Sequence, residues 1–332
     1  RVGGDTLVKA PLGVLWFGGP GNQDILPRHG HGPSPPVVDG RCIVEGMDML
    51  RAIDVYTGRL LWAAKLPGLG QLYDNTAHQA GANGIGSNYV SLPEGVFVAH
   101  GDRAVRLDPA TGKELQTYRL PAFANESKSP RWAFINVEGD YLIGAASPLP
   151  AKDTKRKKGD FSGLEASKRV CILNWRTGEV IAQIHAEHAY RHNGIILGGG
   201  RLYLLDRTDK DPTGVLSITG TRGSVYGSIA AHDLKSGKEL WKNPKGTFGT
   251  FLSYSSAHDI LLESGLVTRD TLRDEAKGIR ALNAKDGQVM WNKPAYTGPA
   301  LVRGDWVLKT ENRGNGGTAC NIQTGEEINV PD

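Results

Sequence analysis

Six copies of one short turn constrain this chain more than anything else in it. Asp54, Asp108, Asn174, Asp233, Asn283 and Asn321 are each followed four residues later by a glycine, at Gly58, Gly112, Gly178, Gly237, Gly287 and Gly325. A Thr, Ser or Asp precedes each glycine, and an apolar residue comes soon after it. In three copies a tryptophan (Trp62, Trp241, Trp291) stands four residues beyond the glycine. An Asp or Asn side chain can accept hydrogen bonds from backbone amides just ahead of it, and glycine takes the positive φ that a tight hairpin needs. Six such corners imply repeated hairpins, and self-similarity of this kind outranks every other sequence signal.

Upstream of each corner lies a short apolar segment, as in 40–45, 95–99, 141–144, 201–205, 260–263 and 306–309, and earlier still a further strand, as in Trp132–Asn136. Four strands per unit is the blade of a propeller. After the corner the chain alternates, so Leu61 and Trp62 are expected on opposite faces of an outermost strand, with the indole wedged against the neighbouring sheet. The glycines recur at roughly 40–65 residues, against ~40–45 for a bare blade, so the excess is insertion. Three insertions stand out: Ser147 to Lys168, with the basic run Lys155–Lys158; Thr208 to Val225; and Val267 to Lys277, which reads as a short helix.

The reading is therefore all-β: one propeller domain over 1–332, with 1–32 an outer strand (Leu12–Phe17) and loop, and 33–332 six four-stranded antiparallel blades. With 44 glycines, 18 prolines and three methionines in 332 residues, turns are frequent and long helices scarce. A net charge of +4, with charges interspersed, lacks the basic stripe of a nucleic-acid binder. No apolar run reaches the ~18 residues needed to span a bilayer.

The Asp-x-x-Thr-Gly-x-x-x-Trp corner resembles the tryptophan-docking turn of pyrroloquinoline quinone (PQQ) repeat propellers, the superfamily of quinoprotein alcohol dehydrogenases and BamB. The resemblance runs from about Pro33 to the carboxyl end. Bacterial proteins with PQQ-binding-like propeller repeats are similar also at 12–21 and 26–34. It implies a periplasmic or extracellular protein and at least six blades: either this chain closes with six or seven, or it is part of a larger ring of seven or eight.

Quinoprotein dehydrogenases of that superfamily hold PQQ with a disulfide between adjacent cysteines, a tryptophan and Ca²⁺. That set does not carry over: Cys42, Cys171 and Cys320 are far apart, and Trp62, Trp241 and Trp291 occupy corner positions. The cysteines read as small buried hydrophobes. His29 and His31, beside Arg28, have the i, i+2 spacing that puts two imidazoles on one side of a strand, and could give two metal ligands. Other polar groups sit where inner strands should begin: His78, Asn83 and Asn88; Arg191, His192 and Asn193; His258 and Asp259. They are expected either to satisfy backbone groups around the axis or to converge on an axial funnel, with His78, His192 and His258 facing one another. His232 with Asp233 looks like an acid–base dyad, but Asp233 belongs to the repeated corner and reads as its cap. Asn125 opens an N-glycosylation sequon.

Two functions remain open on these residues. One is a non-catalytic binding or scaffolding ring that presents loops to a protein, glycan or small ligand, without a cofactor. The other is an oxidoreductase using PQQ with Ca²⁺, or a metal, in the funnel.

Overall fold

Each repeated corner closes an antiparallel sheet in the computed structural model of the chain, which describes residues 25–26, 32–71, 73, 86–124, 128–146, 166–207, 227–244, 246–265, 278–296, 298–308 and 317–330. Blade 1 is β1 (Val37–Val38), β2 (Arg41–Gly46), β3 (Met49–Asp54) and β4 (Leu60–Lys65). Blade 2 is β5 (Tyr89–Leu92), β6 (Gly95–His100), β7 (Arg103–Leu107) and β8 (Glu114–Tyr118). Blade 3 holds β9 (Trp132–Glu138), β10 (Tyr141–Ala146), β11 (Ala166–Asn174) and the start of β12 (Val180–Gly198). The rest of β12 opens blade 4, which continues with β13 (Arg201–Arg207), β14 (Gly227–Asp233) and β15 (Glu239–Asn243). Blade 5 is β16 (Phe251–Ser255), β17 (Ile260–Ser264), β18 (Ile279–Asn283) and β19 (Val289–Lys293). Blade 6 is β20 (Leu301–Arg303), β21 (Trp306–Leu308), β22 (Gly317–Asn321) and β23 (Glu327–Val330).

The chain is all-β among its described residues, and its sheets are the four-stranded antiparallel blades of a β-propeller. One feature departs from the repeat. β12 runs for 19 residues as both the outer strand of blade 3 and the inner strand of blade 4, fusing those blades into one seven-stranded sheet. The sequence pattern, which expects a loop there, carries no sign of this continuity.

Local chemistry explains the corners. In all six the amide of the Asp or Asn bonds to the carbonyl five residues on, and the glycine amide returns to the Asp or Asn carbonyl at 2.7–2.8 Å. The side chain then takes the intervening amides: Asp54 Oδ1 accepts from Tyr56 N and Thr57 N, and Asn321 Oδ1 from Gln323 N and Thr324 N. At Asp108 the Thr111 hydroxyl and amide hold the carboxyl below its ordinary range. Asp233 is tied in the same way to Ser236, so His232 and Asp233 serve the corner as the sequence suggested.

Five apolar cores lie between successive blades, each drawing side chains from two neighbours. The core is therefore a set of radial seams. Indoles close three of them. Trp62 Nε1 donates to Pro109 O (2.8 Å), Trp241 Nε1 to Ala284 O (3.0 Å) and Trp291 Nε1 to Ile322 O (2.8 Å), in each case on the corner of the next blade. A β-bulge makes this geometry in blades 1 to 5: the register slips just after the corner, leaving Leu61, Leu115, Ile181, Leu240 and Met290 without a partner on the neighbouring strand. The extra residue turns the following side chain toward the next blade.

Cys171 and Cys320 are buried, as expected, while Cys42 is half-buried. The outer strand expected at Leu12–Phe17 and the helix expected at Val267–Lys277 lie wholly or almost wholly outside the described residues, as does most of the other two insertions.

Candidate functional site

His192, on β12, stands where three blades meet. Its Nε2 lies 2.8 Å from Ser167 Oγ on β11, and its ring packs against Phe134 of β9 with centroids 5.9 Å apart. The chain just before β5 passes so close that a Cβ on Gly86 would lie 3.1 Å from the His192 Cβ. Arg191 beside it is buried and Asn193 half-buried. Asn88, at the same end of blade 2, donates from Nδ2 to Glu45 Oε1 (2.9 Å). Glu45 is 4% exposed, and its other oxygen has no hydrogen-bond partner. Burial pushes its carboxyl up to about 7, against the opposing pull of Asn88 and the Gly70 amide.

His258 and Asp259 do not join this group. They occupy the turn between β16 and β17, at the far end of the inner strand, whereas His192 lies near the beginning of its own. His258 Nε2 pairs with Asp305 Oδ1 across 2.8 Å, reaching the equivalent turn of blade 6. Asp259 accepts from Arg201, the first residue of β13 just past the equivalent turn of blade 4, and from Tyr254 Oη (2.9 Å). The expected convergence of His192 with His258 fails for a simple reason. A polar segment before an apolar strand looks the same whether it is a connector or a hairpin turn, and Ile260–Ser264 is the second strand of its blade, not the first. Arg28, His29, His31, His78 and Asn83 lie outside the described residues.

The structure adds a set of buried charges that the sequence reading missed. Glu263, wholly buried, accepts from Phe248 N (2.7 Å) and Gly249 N (2.9 Å) and pairs with Arg280 on the adjacent strand. Arg207 donates to the carbonyls of the same two residues (2.9 Å each). Asp206 accepts from Glu187, His188 and Ala189 N at 2.6–3.2 Å, and Arg169 donates to Pro121 and Ala122 O. Glu263, Arg207 and Arg169 hold segments joining an outer strand to the next inner strand, and Asp206 holds the stretch of β12 where its outer part passes into its inner part. Buried backbone groups in irregular segments need such partners. The signal was present: a charged residue ending an apolar run, as Asp206 follows Leu204 and Leu205 and Glu263 follows Leu261 and Leu262.

Among the described residues no group of three or more His, Cys, Asp or Glu side chains could hold a metal ion, and no helix is long and apolar enough to cross a membrane. The cysteines are free and lie on β2, β11 and β22 of three different blades, so they cannot form the adjacent-cysteine disulfide that quinoprotein dehydrogenases place against PQQ. The adjacent cysteine pair of that cofactor's cradle is therefore not supplied by Cys42, Cys171 and Cys320.

With this geometry in hand, the chain was compared with known proteins. No curated protein sequence matches it. Among solved structures, a computationally designed protein, Ika8, aligns with 12% identity and a TM-score of 0.53, covering 92% of this chain and 76% of that one. BamB from Moraxella catarrhalis aligns with 12% identity and a TM-score of 0.50 over the same shares. At that identity the likeness speaks to fold alone. The family model described as outer membrane protein assembly factor BamB matches residues 26–243, more than half of the chain. The chain belongs to that BamB-type family of PQQ-like repeat propellers.

Proposed function

We propose that this chain is a non-catalytic scaffold that binds a protein partner along its rim, in the periplasm or at the outer membrane. One observation carries the reading. β8, β15 and β19 end their sheets, and the bulge in each turns out a large apolar side chain: Leu115, Leu240 and Met290 are 49%, 52% and 43% exposed. Ile328 on β23 is exposed as well. Edge strands that keep exposed apolar side chains invite another chain. A partner strand or loop laid on such an edge gains backbone hydrogen bonds and apolar burial together.

The inner polar groups support a scaffold in another way. Glu263, Arg280, Asp206, Arg169 and Asp259 are committed to connectors or turns, which keeps the ring stiff while its surface does the binding. The envelope location rests on the family's description as an outer membrane assembly factor. The alternative of PQQ chemistry finds no support in the placement of the three cysteines.

Photocrosslinking tests the proposal. A benzophenone amino acid at Leu115, Leu240 or Met290, in cells of the source organism, is expected to trap one defined envelope protein, and a probe at Lys235 on a blade corner is not. Rim probes that trap nothing, or the same mixture as the corner probe, contradict it.

A further inference from the structure

At three matched positions the seam between blades 3 and 4 carries smaller or more polar residues than the seam between blades 1 and 2. There Trp62 closes on Val96, Val98, Val105 and Leu107 to make a dry core. Counting from the glycine of each corner, the place of Trp62 is taken in blade 3 by Ala182; counting from the Asp, the places of Val105 and Leu107 are taken in blade 4 by Ala230 and His232. The blades close on Ala182 itself, which touches the site of a Cβ on Gly237, so the inner corner is sealed. Farther along the strands a cavity of about 260 Å³ remains. It opens to solvent on the side of Glu187 and Glu239.

One wall of the cavity is a stripe on β14, Ser228, Ala230 and His232, in strand period. Leu204 and Asp206 of β13 continue it, and Ile184, Ala186 and Tyr190 of β12 face it. His232 is 6% exposed. Its Nδ1 lies 3.3 Å from Gly237 O, while its Nε2 makes no hydrogen bond among the described residues. The Ser228 hydroxyl, also buried, likewise makes none. Two buried polar groups lining a void and left without protein partners call for a ligand or water there.

The chemistry around them is one-sided. With Nδ1–H donating to Gly237, His232 presents an acceptor lone pair at Nε2. Burial lowers the His232 pKa, against the opposing pull of the Gly237 carbonyl and Glu239. Glu187 and Glu239 add carboxylates and Tyr190 an acceptor oxygen, while Asp206 beside them is held by three backbone amides; Lys242, the cation, sits 3.8 Å from Glu187. Ile184, Leu204, Ala186 and Ala230 supply an apolar bed. The volume falls just below the ~300–1,000 Å³ of pockets for drug-sized molecules. We infer that this inter-blade cavity is a binding site for a small primary ammonium compound with an apolar body, its charged end set between His232 and Glu239.

Calorimetric titration of the full chain with 2-phenylethylamine, and with phenylacetate and 2-phenylethanol as anionic and neutral counterparts, tests this. The amine is expected to bind saturably at one site, and each counterpart at least about tenfold more weakly. Ala230→Leu, which fills the cavity, is expected to abolish binding with the circular dichroism spectrum unchanged. Should Ala230→Leu fail to fold, Glu239→Gln, an exposed position, carries the test with an expected loss of roughly tenfold. No saturable heat from the amine, equal binding of phenylacetate or phenylethanol, or undiminished binding by the folded variants overturns the assignment.

Discussion

Trp62 on the outer strand of blade 1 donates its indole N–H to the carbonyl of Pro109 in blade 2, at 2.8 Å. The same ring lies over Gly112, where an added Cβ would come within 2.6 Å of it and where φ is +71°. One contact thus joins two blades through a hydrogen bond, an apolar face and a backbone that only glycine tolerates. Trp62→Ala is expected to cost about 3–5 kcal/mol, the range for deleting a buried aromatic. Gly112→Ala is expected to lower stability as well, through left-handed strain and the clash with the ring. Urea denaturation checks both. If the seam is one unit, the double variant loses less than the sum of the two.

Glu263 and Arg280 form a buried pair that also holds the amides of Phe248 and Gly249. Arg280→Met leaves a carboxylate unpaired at a wholly buried site and is expected to cost about 3–5 kcal/mol. Adding Glu263→Gln removes the charge yet keeps an acceptor for both amides, so the double variant should recover much of that loss. Denaturation midpoints of the three proteins decide it.

Glu45 makes stability fall as pH rises. Its folded carboxyl titrates at about 7, above an ordinary value of 4.5. Between those values the folded state keeps a proton that the unfolded state has released, so stability declines across that window and levels off above it. The full effect is on the order of 3 kcal/mol. Glu45→Gln is expected to be more stable than the parent at pH 8 and to show a flatter profile from pH 4.5 to 7, measured by thermal melts.

The thiols should be quiet. Burial raises the Cys171 thiol to about 11 and raises Cys320 and Cys42 as well. Thiolate is the reactive form. With Ellman's reagent at pH 8, half-buried Cys42 is expected to react first, and Cys171 and Cys320 only as the protein unfolds.

The corners were legible because their chemistry is local: Asp108, Thr111 and Gly112 form the turn within one short segment, so the sequence alone displays it. The seams were legible only in part. Trp62, Trp241 and Trp291 announce themselves, but nothing at Ala182 says that the next blade closes directly upon it, because that depends on residues far away in the chain. His258 shows the same limit, since its hairpin turn and a blade connector have like composition. The clamps Arg169, Asp206 and Glu263 belong to a third kind. Their charges in apolar strands were visible, while the connector amides and carbonyls they satisfy appear only in three dimensions.

Calorimetric titration of the chain with PQQ and Ca²⁺, followed by dye-linked assay with primary alcohols, meets the central claim head-on. A scaffold whose inner polar groups are committed to its own backbone gives no saturable heat and no dye reduction. Stoichiometric PQQ uptake with turnover would contradict the account.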